Sequence, residues 1–357
     1  MTAVKIHAGD RSYDAIVGSG LLDSLGLAIA RTLPGKRCAI VADENVANLF
    51  AERVFESLRR ETFDPSLVIV PPGEKSKTLE QASAICEQIL AAGLDRQSFV
   101  VALGGGVVGD LAGFVAAIFQ RGIPYVQVPT TLLAMVDSSI GGKTGVNTNA
   151  GKNLIGAVHH PALVIADVDL LKTLPQREFN QGFAEIIKHA IIADPEMFRE
   201  LRNIEASDAL ALQRLIKRNI EIKSGVVAKD ELDRTGERAL LNFGHTVGHA
   251  IEHAGDYREF LHGEAVSLGM IAACAVSIKR AGLPCEQRDA IVDLLNAFGL
   301  PTRLPPNFPR AKILEAVPFD KKFQGGKIRF VVTSKIGSAR LSDEVTLEDI
   351  REGVEAL

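Results

Sequence analysis

Hydrophobic and polar positions along the chain fall into two textures. In the first half, short runs rich in β-branched residues alternate with stretches of helical period. The runs are RCAIVAD (37–43), SLVIVPP (66–72), SFVVAL (98–103), YVQVPTT (125–131) and ALVIAD (162–167). Between them, the stretches near 45–60, 78–92 and 107–120 space their apolar residues as amphipathic helices do. The runs are apolar throughout instead of alternating, which predicts strands covered on both faces and therefore a mostly parallel sheet. After LKTLPQREF the texture changes. Helical patterns dominate at 177–192, 207–229, 245–254, 263–281 and 285–298, interrupted by one hairpin-like stretch at 327–341. The pattern predicts an α/β domain over 1–174 and an all-helical domain over 175–357, with the active site in the cleft between them.

Composition narrows the picture. The 357 residues are 46% hydrophobic and 24% charged, an ordinary balance for a globular chain that buries a large core. A net charge of −4 provides no global field for nucleic acid or for an anionic membrane. Aromatics are 5% and Trp is absent, which argues against base-stacking platforms. The first residues, MTAVKIHAGDRSYD, contain no apolar signal core. The longest apolar run, AVSLGMIAACAVSI (265–278), is too short to span a bilayer comfortably and reads as a buried helix. Cys38, Cys86, Cys274 and Cys285 form no CxxC pair and read as buried thiols of a reducing compartment. These features predict a cytoplasmic protein that binds neither nucleic acid nor membrane.

Chemistry enters with VALGGGVVGDLAGF, which reads as a strand, a glycine cluster and a helix. Gly104, Gly106 and Gly109 satisfy G-x-G-x-x-G, the turn that lets backbone N–H groups approach a pyrophosphate in Rossmann-like sheets. The usual ribose-binding acid is missing downstream. A dinucleotide would have its ribose read elsewhere, with Asp43 and PPGEKSK (71–77) as candidates at strand ends. A tight strand–helix turn without a ligand is the plainer alternative. VDSSIGGKTGVNTNAGKNLIGA (136–157) is polar and glycine-rich and carries Lys143 and Lys152. It suits a phosphate-binding loop or, more plainly, a solvated hairpin. It does not fit a Walker A loop.

FAEIIKHAII sets Glu185 and Lys188 three apart on an apolar helix face, where an intrahelical ion pair is the simple explanation. LNFGHTVGHAIEHAG spaces His245, His249 and His253 by four, so one helical stripe carries three imidazoles. Thr246 stands where a zincin has its catalytic Glu, which disfavours a metalloprotease. A catalytic zinc centre needs about three protein ligands and an open position. His262 in FLHGEAVSLGM and Glu185 are further donors on separate predicted helices. At this level the stripe is a metal site, a substrate clamp or a polar face.

In register, PGEKSK, GGGVVGDLAGF, VPTTLLAMVDSSIGGKTGVN, GKNLIGA, AEIIKH, RALLNFGHTVGHAIE and LHGEAV follow the order of one family. From ADEN to FDKK the chain resembles the 3-dehydroquinate synthases, sugar-phosphate cyclases of the shikimate pathway. The resemblance implies an NAD-binding first domain and a second domain that carries Zn2+ or Co2+ on Glu185, His245 and His262. It makes His249 a substrate contact and gives His253 no role. NAD contacts carry over to Asp43, Asn45, Glu74, Lys77, Gly105, Gly106, Val107 and Asp110. Thr130, Thr131, Leu170 and Thr173 complete them, with Lys143 and Lys152 shared with substrate. Substrate contacts fall on Arg121, Asn153, Lys188, Arg238 and Asn242, together with one of Lys321 or Lys322. A homodimer is implied as well.

The implied activity is a carbon–oxygen lyase reaction of aromatic amino-acid biosynthesis. It converts 3-deoxy-D-arabino-heptulosonate 7-phosphate to 3-dehydroquinate and phosphate. The sequence of events is transient oxidation with bound NAD, phosphate elimination, re-reduction and intramolecular aldol closure. A metal-dependent NAD polyol dehydrogenase shares the architecture but would not need so many cations around an anion. Sister cyclases acting on sedoheptulose 7-phosphate or glucose 6-phosphate lack a substrate carboxylate. A catalytically silent scaffold would need neither metal nor anion groups.

Overall fold

The computed structural model describes residues 1–148, 151–231, 236–317, 323–324 and 327–357. Lys321 and Lys322 lie outside these. The chain divides into two units, Met1–Leu174 with Ala206–Leu232, and Pro175–Glu205 with Asp233–Leu357.

The first unit is built on a seven-stranded sheet. Its elements in chain order are β1 (Thr2–Ala8), β2 (Arg11–Gly18), α1 (Leu25–Ala30), β3 (Arg37–Asp43), α2 (Glu44–Arg60), β4 (Asp64–Val70), α3 (Leu79–Ala91), β5 (Phe99–Gly104), α4 (Gly106–Ile118), β6 (Tyr125–Pro129), β7 (Lys143–Thr148), β8 (Gly151–Val158) and β9 (Leu163–Asp167). The strand order is β1-β2-β9-β6-β5-β3-β4. Only the β1–β2 pair is antiparallel; the others run parallel, and the central β3, β5, β6 and β9 are the near-continuous apolar strands expected of such a sheet. β5, β6 and β9 are buried at every residue, and Phe114, Leu111 and Val115 of α4 cover the sheet with Ile85 and Ile89 of α3. In this register Ala42 lies beside Leu103 and Gly104 beside Pro129, so Asp43, Gly105 and Thr130 share the carboxyl edge where α/β sheets hold ligands.

The β1–β2 hairpin was not expected from the sequence. Its strands alternate, with Val4, Ile6, Ala8, Tyr13, Ala15 and Val17 buried and their neighbours mostly exposed, a period of two instead of a solid apolar run. The glycine-rich stretch forms a second antiparallel hairpin, β7–β8. Helix α7 (Ala209–Lys229), expected in the helical half, packs on β1 and β2 and belongs to the first unit. Its apolar residues Leu212, Leu215, Ile216 and Ile220 are buried, as its packing on the hairpin and the neighbouring turns requires.

The second unit contains α5 (Gln176–Ala193), α6 (Pro195–Leu201), α8 (His245–Ala254), α9 (His262–Ala281), α10 (Cys285–Ala297), α11 (Arg310–Ala316) and α12 (Leu347–Glu355). Two hairpins join them, β10 (Phe323–Gln324) with β11 (Lys327–Ile328), and β12 (Phe330–Lys335) with β13 (Ser338–Ser342), so the unit is helical but not strictly all-helical. Helix α9 holds the longest apolar run. It is central, with α5, α8, α10, α12 and β12 packed around it, which is why it is apolar on nearly every face. No helix among the described residues is long and apolar enough to cross a membrane. Cys38 and Cys274 are buried and burial pushes both thiols up to about 12. Cys86 is half-buried, and Cys285 is exposed at the start of α10, against the expectation of four buried thiols.

Candidate functional site

In the second unit three helices present donors to one point. Glu185 lies midway along α5 on its buried face, His245 opens α8 and His262 opens α9. Glycine makes the approach possible. A Cβ on Gly269 of α9 would collide with the Gly244 carbonyl at the head of α8, and one on Gly263 would collide with the Gln181 carbonyl of α5. Arg177 of α5 forks onto Glu264 at 2.6 and 2.7 Å, while Glu264 also accepts from the Leu261 N–H and caps α9. The first residue of α9 is therefore held firmly against α5.

His245 Nε2 lies 3.4 Å from Glu185 Oε1, and His262 Nε2 lies 3.7 Å from the same oxygen. Glu185 is wholly buried, and its Oε1 makes no hydrogen bond among the described residues, while Oε2 accepts from Lys188. The far side of each imidazole is also occupied. His245 Nδ1 faces the Phe243 carbonyl at 3.3 Å, and His262 Nδ1 faces Glu252 Oε2 at 3.3 Å. A carbonyl oxygen only accepts, so Nδ1 of His245 carries the proton and Nε2 offers its lone pair. Burial would raise the Glu185 carboxyl, but Lys188, then His245 and His262, hold it well below the usual carboxylate range. Burial lowers the His245 imidazole, only partly opposed by Glu185. For His262, lost solvent lowers and Glu252 and Glu185 raise, leaving it at about 10.

The histidine stripe now divides. His245, His249 and His262 form a ring cluster with centroids 5.3 to 6.0 Å apart, while His253 turns away to Tyr257. His249 is exposed. Arg238 is buried and Asn242 half-buried on the short turn Glu237–Asn242 that leads into α8. Lys188 is fully buried on Glu185, the intrahelical pair that spacing alone suggests.

In the first unit, α4 starts directly after β5, and no side chain caps it at Gly105. A Cβ at Gly105 would press on Thr131 at 3.0 Å, one at Gly106 on Ser138 at 3.0 Å, and one at Gly109 on Gln127 at 2.7 Å. The glycines thus give a bare helix N-terminus and close strand–helix packing, the two services the fingerprint performs. Val107 follows, half-buried, in the first turn. One turn on, Asp110 accepts from Lys77 Nζ at 2.5 Å, and the same ammonium donates to Asn153 Oδ1 at 2.5 Å. Burial pushes the Asp110 carboxyl up against the pull of Lys77. Asn147 donates to Glu74 at 2.8 Å and accepts from the Asn153 N–H at 3.0 Å. Asn153 holds φ of 54°, a left-handed backbone that Asn tolerates better than most residues. Glu74 and Lys77 of one loop therefore form one network with Asp110, Asn147 and Asn153, which lie far from them in sequence.

Other expected contacts are placed separately. Asp43 caps α2 through the N–H groups of Asn45 and Val46, with Asn45 exposed. Thr130 donates its N–H to the Gly104 carbonyl and Thr131 Oγ1 accepts from Ala134 N, both beside the glycine turn. Leu170 is buried in the turn after β9, and Thr173 Oγ1 donates to its carbonyl. Lys143 opens β7, exposed, and Lys152 is half-buried on β8. Arg121 is exposed, φ 70°, beyond the carboxyl end of α4, so this unit does not bring it to the network at the helix's other end. Asp137, Lys223 and Glu252 escaped the sequence reading. Lys223 of α7 is buried and donates to the Asp137 carbonyl and carboxylate, both at 2.7 Å. VDSS gave a signal for Asp137; nothing local marks Lys223.

Family models cover adjoining stretches of the chain. The one described as 3-dehydroquinate synthase N-terminal matches residues 67–181, and the one described as 3-dehydroquinate synthase C-terminal matches 182–323. A 3-dehydroquinate synthase from Thermodesulfovibrio yellowstonii is 43% identical over 356 residues, 99% of each chain. Among solved structures, a 2-deoxy-scyllo-inosose synthase complexed with carbaglucose-6-phosphate, NAD+ and Co2+ is 27% identical. It superposes with a TM-score of 0.89 and 99% coverage of both chains. A 2-epi-5-epi-valiolone synthase from Streptomyces hygroscopicus with NAD+ and Zn2+ bound is 29% identical, with a TM-score of 0.88 over 99% of this chain and 98% of that one. Identity at the level of the Thermodesulfovibrio enzyme, sustained from end to end, makes this chain a member of the 3-dehydroquinate synthase family.

Proposed function

We infer that the chain catalyses the 3-dehydroquinate synthase reaction, releasing phosphate from 3-deoxy-D-arabino-heptulosonate 7-phosphate and closing the carbocycle, with NAD and one divalent ion as cofactors. The observation that carries this reading is Glu185 Oε1. It is a buried carboxylate oxygen without a hydrogen bond among the described residues, faced by Nε2 of His245 and of His262. An orphaned buried acceptor is costly unless a cation takes it. One carboxylate and two imidazoles are a donor set that suits zinc or cobalt, so the residues fit the group. Bound there by Glu185, His245 and His262, a divalent ion supplies Lewis acidity toward a carbinol oxygen of the substrate.

The glycine turn fits a dinucleotide on a separate observation, since α4 begins there with no side-chain cap at Gly105, which suits a pyrophosphate at the helix N-terminus. NAD supplies reversible acceptance of hydride and leaves each turnover unchanged. Asp43, Asn45, Thr130 and Thr131 lie along the same edge of the sheet as that turn, and the Leu170–Thr173 turn follows strand β9. Lys77 holds Asp110, and Glu74 is tied to the pair through Asn147 and Asn153. For the substrate, Lys143, Lys152, Asn153, Arg238 and Asn242 supply cationic or amide donors for a carboxylate and a phosphate. Lys188 balances the charge of Glu185, and His249 offers an exposed imidazole to a substrate hydroxyl. The cytoplasmic location and the homodimer belong to the same proposal.

The test incubates zinc-loaded protein with the heptulosonate phosphate and a trace of NAD+. Phosphate release matching substrate consumption, without net NADH, is the expected result. Accumulating NADH would establish a polyol dehydrogenase instead. Turnover of sedoheptulose 7-phosphate alone would establish a sister cyclase.

A further inference from the structure

Glu252 sits two helical turns after His245 on α8, and neither the motif reading nor the ligand set uses it. Its side chain is buried, 3% exposed, and Oε2 stands 3.3 Å from Nδ1 of His262. Nε2 of the same ring points toward Glu185 Oε1 at 3.7 Å. We propose that Glu252 is a positioning residue for the metal centre: it accepts the Nδ1–H of His262 and so fixes the tautomer and ring orientation that present Nε2 to the ion. The inference rests on the metal reading given above.

An imidazole ligates through an unprotonated nitrogen, and a neutral ring has only one. A carboxylate against Nδ1 holds the proton there, so Nε2 is the nitrogen that gives up its proton as an ion binds. It also makes the ring a stronger donor, as carboxylates behind ligating histidines do. His245 obtains its tautomer from the Phe243 carbonyl, a backbone group of its own approach turn. His262 begins α9, and its orienting acceptor comes from a neighbouring helix. Glu252 meets that need from α8. A competing use exists, since His249, Glu252 and His262 place donor atoms within 4.8 Å of one another and could hold a second ion. The buried location of Glu252 and its direct approach to Nδ1 favour the orienting role.

The experiment titrates Zn2+ and Co2+, separately, into the full-length metal-stripped protein against a competing chelator. The wild type is compared with Glu252→Ala, Glu252→Gln and His245→Ala. One ion per chain is expected in the wild type. Glu252→Ala should raise the dissociation constant about 10–100-fold and alter the visible bands of the Co2+ form. Glu252→Gln, whose amide oxygen still accepts from Nδ1, should fall between the two, and its near-identical shape keeps the test valid if the alanine variant misfolds. Wild-type affinity that His245→Ala leaves unchanged would sink the metal reading itself. Binding that needs His245 but is as tight without the Glu252 carboxylate in both variants would overturn this inference alone. Two ions in the wild type and one in the Glu252 variants would overturn it in favour of the second site.

Discussion

Glu185 carries two obligations at once, one oxygen toward Lys188 and the other toward the imidazoles of His245 and His262. The consequences of replacing it and of replacing His245 should therefore separate. Glu185→Gln leaves the Lys188 ammonium buried without its counter-charge, a loss that typically costs about 3–5 kcal/mol. His245→Ala removes a donor and leaves that pair intact. In urea unfolding of the metal-free proteins, the Gln variant should lose most of that amount and the Ala variant clearly less. Turnover should nonetheless fall about a thousandfold in His245→Ala, since several kcal/mol of Lewis-acid stabilisation disappears at about 1.36 kcal/mol per tenfold. A His245→Ala enzyme with near-normal kcat would contradict the ligand assignment.

At the scale of elements, the helices of the second unit are spaced by glycine and tied by charge. Gly269→Ala would push a methyl into the Gly244 carbonyl of α8, so it should cost about 1–3 kcal/mol and weaken zinc binding as α8 and α9 part. Gly225→Ala, on α7 with open space around the added methyl, should instead stabilise by about 0.5–1 kcal/mol. Thermal melts of the two variants side by side check the contrast. Helix α12 is tied to α9 through Asp349, which meets Arg280 at 2.8 and 3.0 Å and caps its own helix through Thr346. Burial alone would raise this carboxyl, but the Thr346 backbone and the Arg280 and Lys279 cations bring it well below the ordinary carboxylate range. A depressed folded value means stability that is present above the unfolded pKa of about 3.9 and lost as pH falls toward the folded one. Asp349→Asn should thus cost about 1–3 kcal/mol at pH 7, with the gap to wild type narrowing below about pH 4 in denaturant titrations. An equal gap at pH 7 and pH 3 would contradict the assignment.

For the molecule as a whole, the two units carry different chemistry. The first has the bare helix N-terminus and the Lys77–Asp110–Asn153 network, and the second has the Glu185–His245–His262 group. A ligand that binds only folded protein stabilises it by mass action, about 2.7 kcal/mol at a hundredfold excess over its dissociation constant. Stripping zinc should therefore lower the melting temperature and loosen hydrogen-exchange protection chiefly in α5, α8 and α9. NAD should act on the first unit, at the β5–α4 turn. Protection gained by zinc mainly in the first unit would be inconsistent with this division.

Strands β3, β4, β5, β6 and β9 and helices α2, α3, α4, α5, α8, α9 and α10 were legible from pattern alone, because apolar periodicity is a local record of which faces are buried. So were the glycine turn and the three-imidazole stripe, which depend only on near neighbours in sequence. What the period of a helix cannot express is which partner its buried face meets. That α7 packs on the first unit's hairpin, that His253 leaves the stripe for Tyr257, and that Lys77 joins Asp110 to Asn153 were settled by contacts between elements distant in the chain. Glu252 belongs to the same class. Its carboxylate acquires meaning only once α8 and α9, held close by glycine, bring it to the far nitrogen of His262, and close packing between helices is a property of the folded chain.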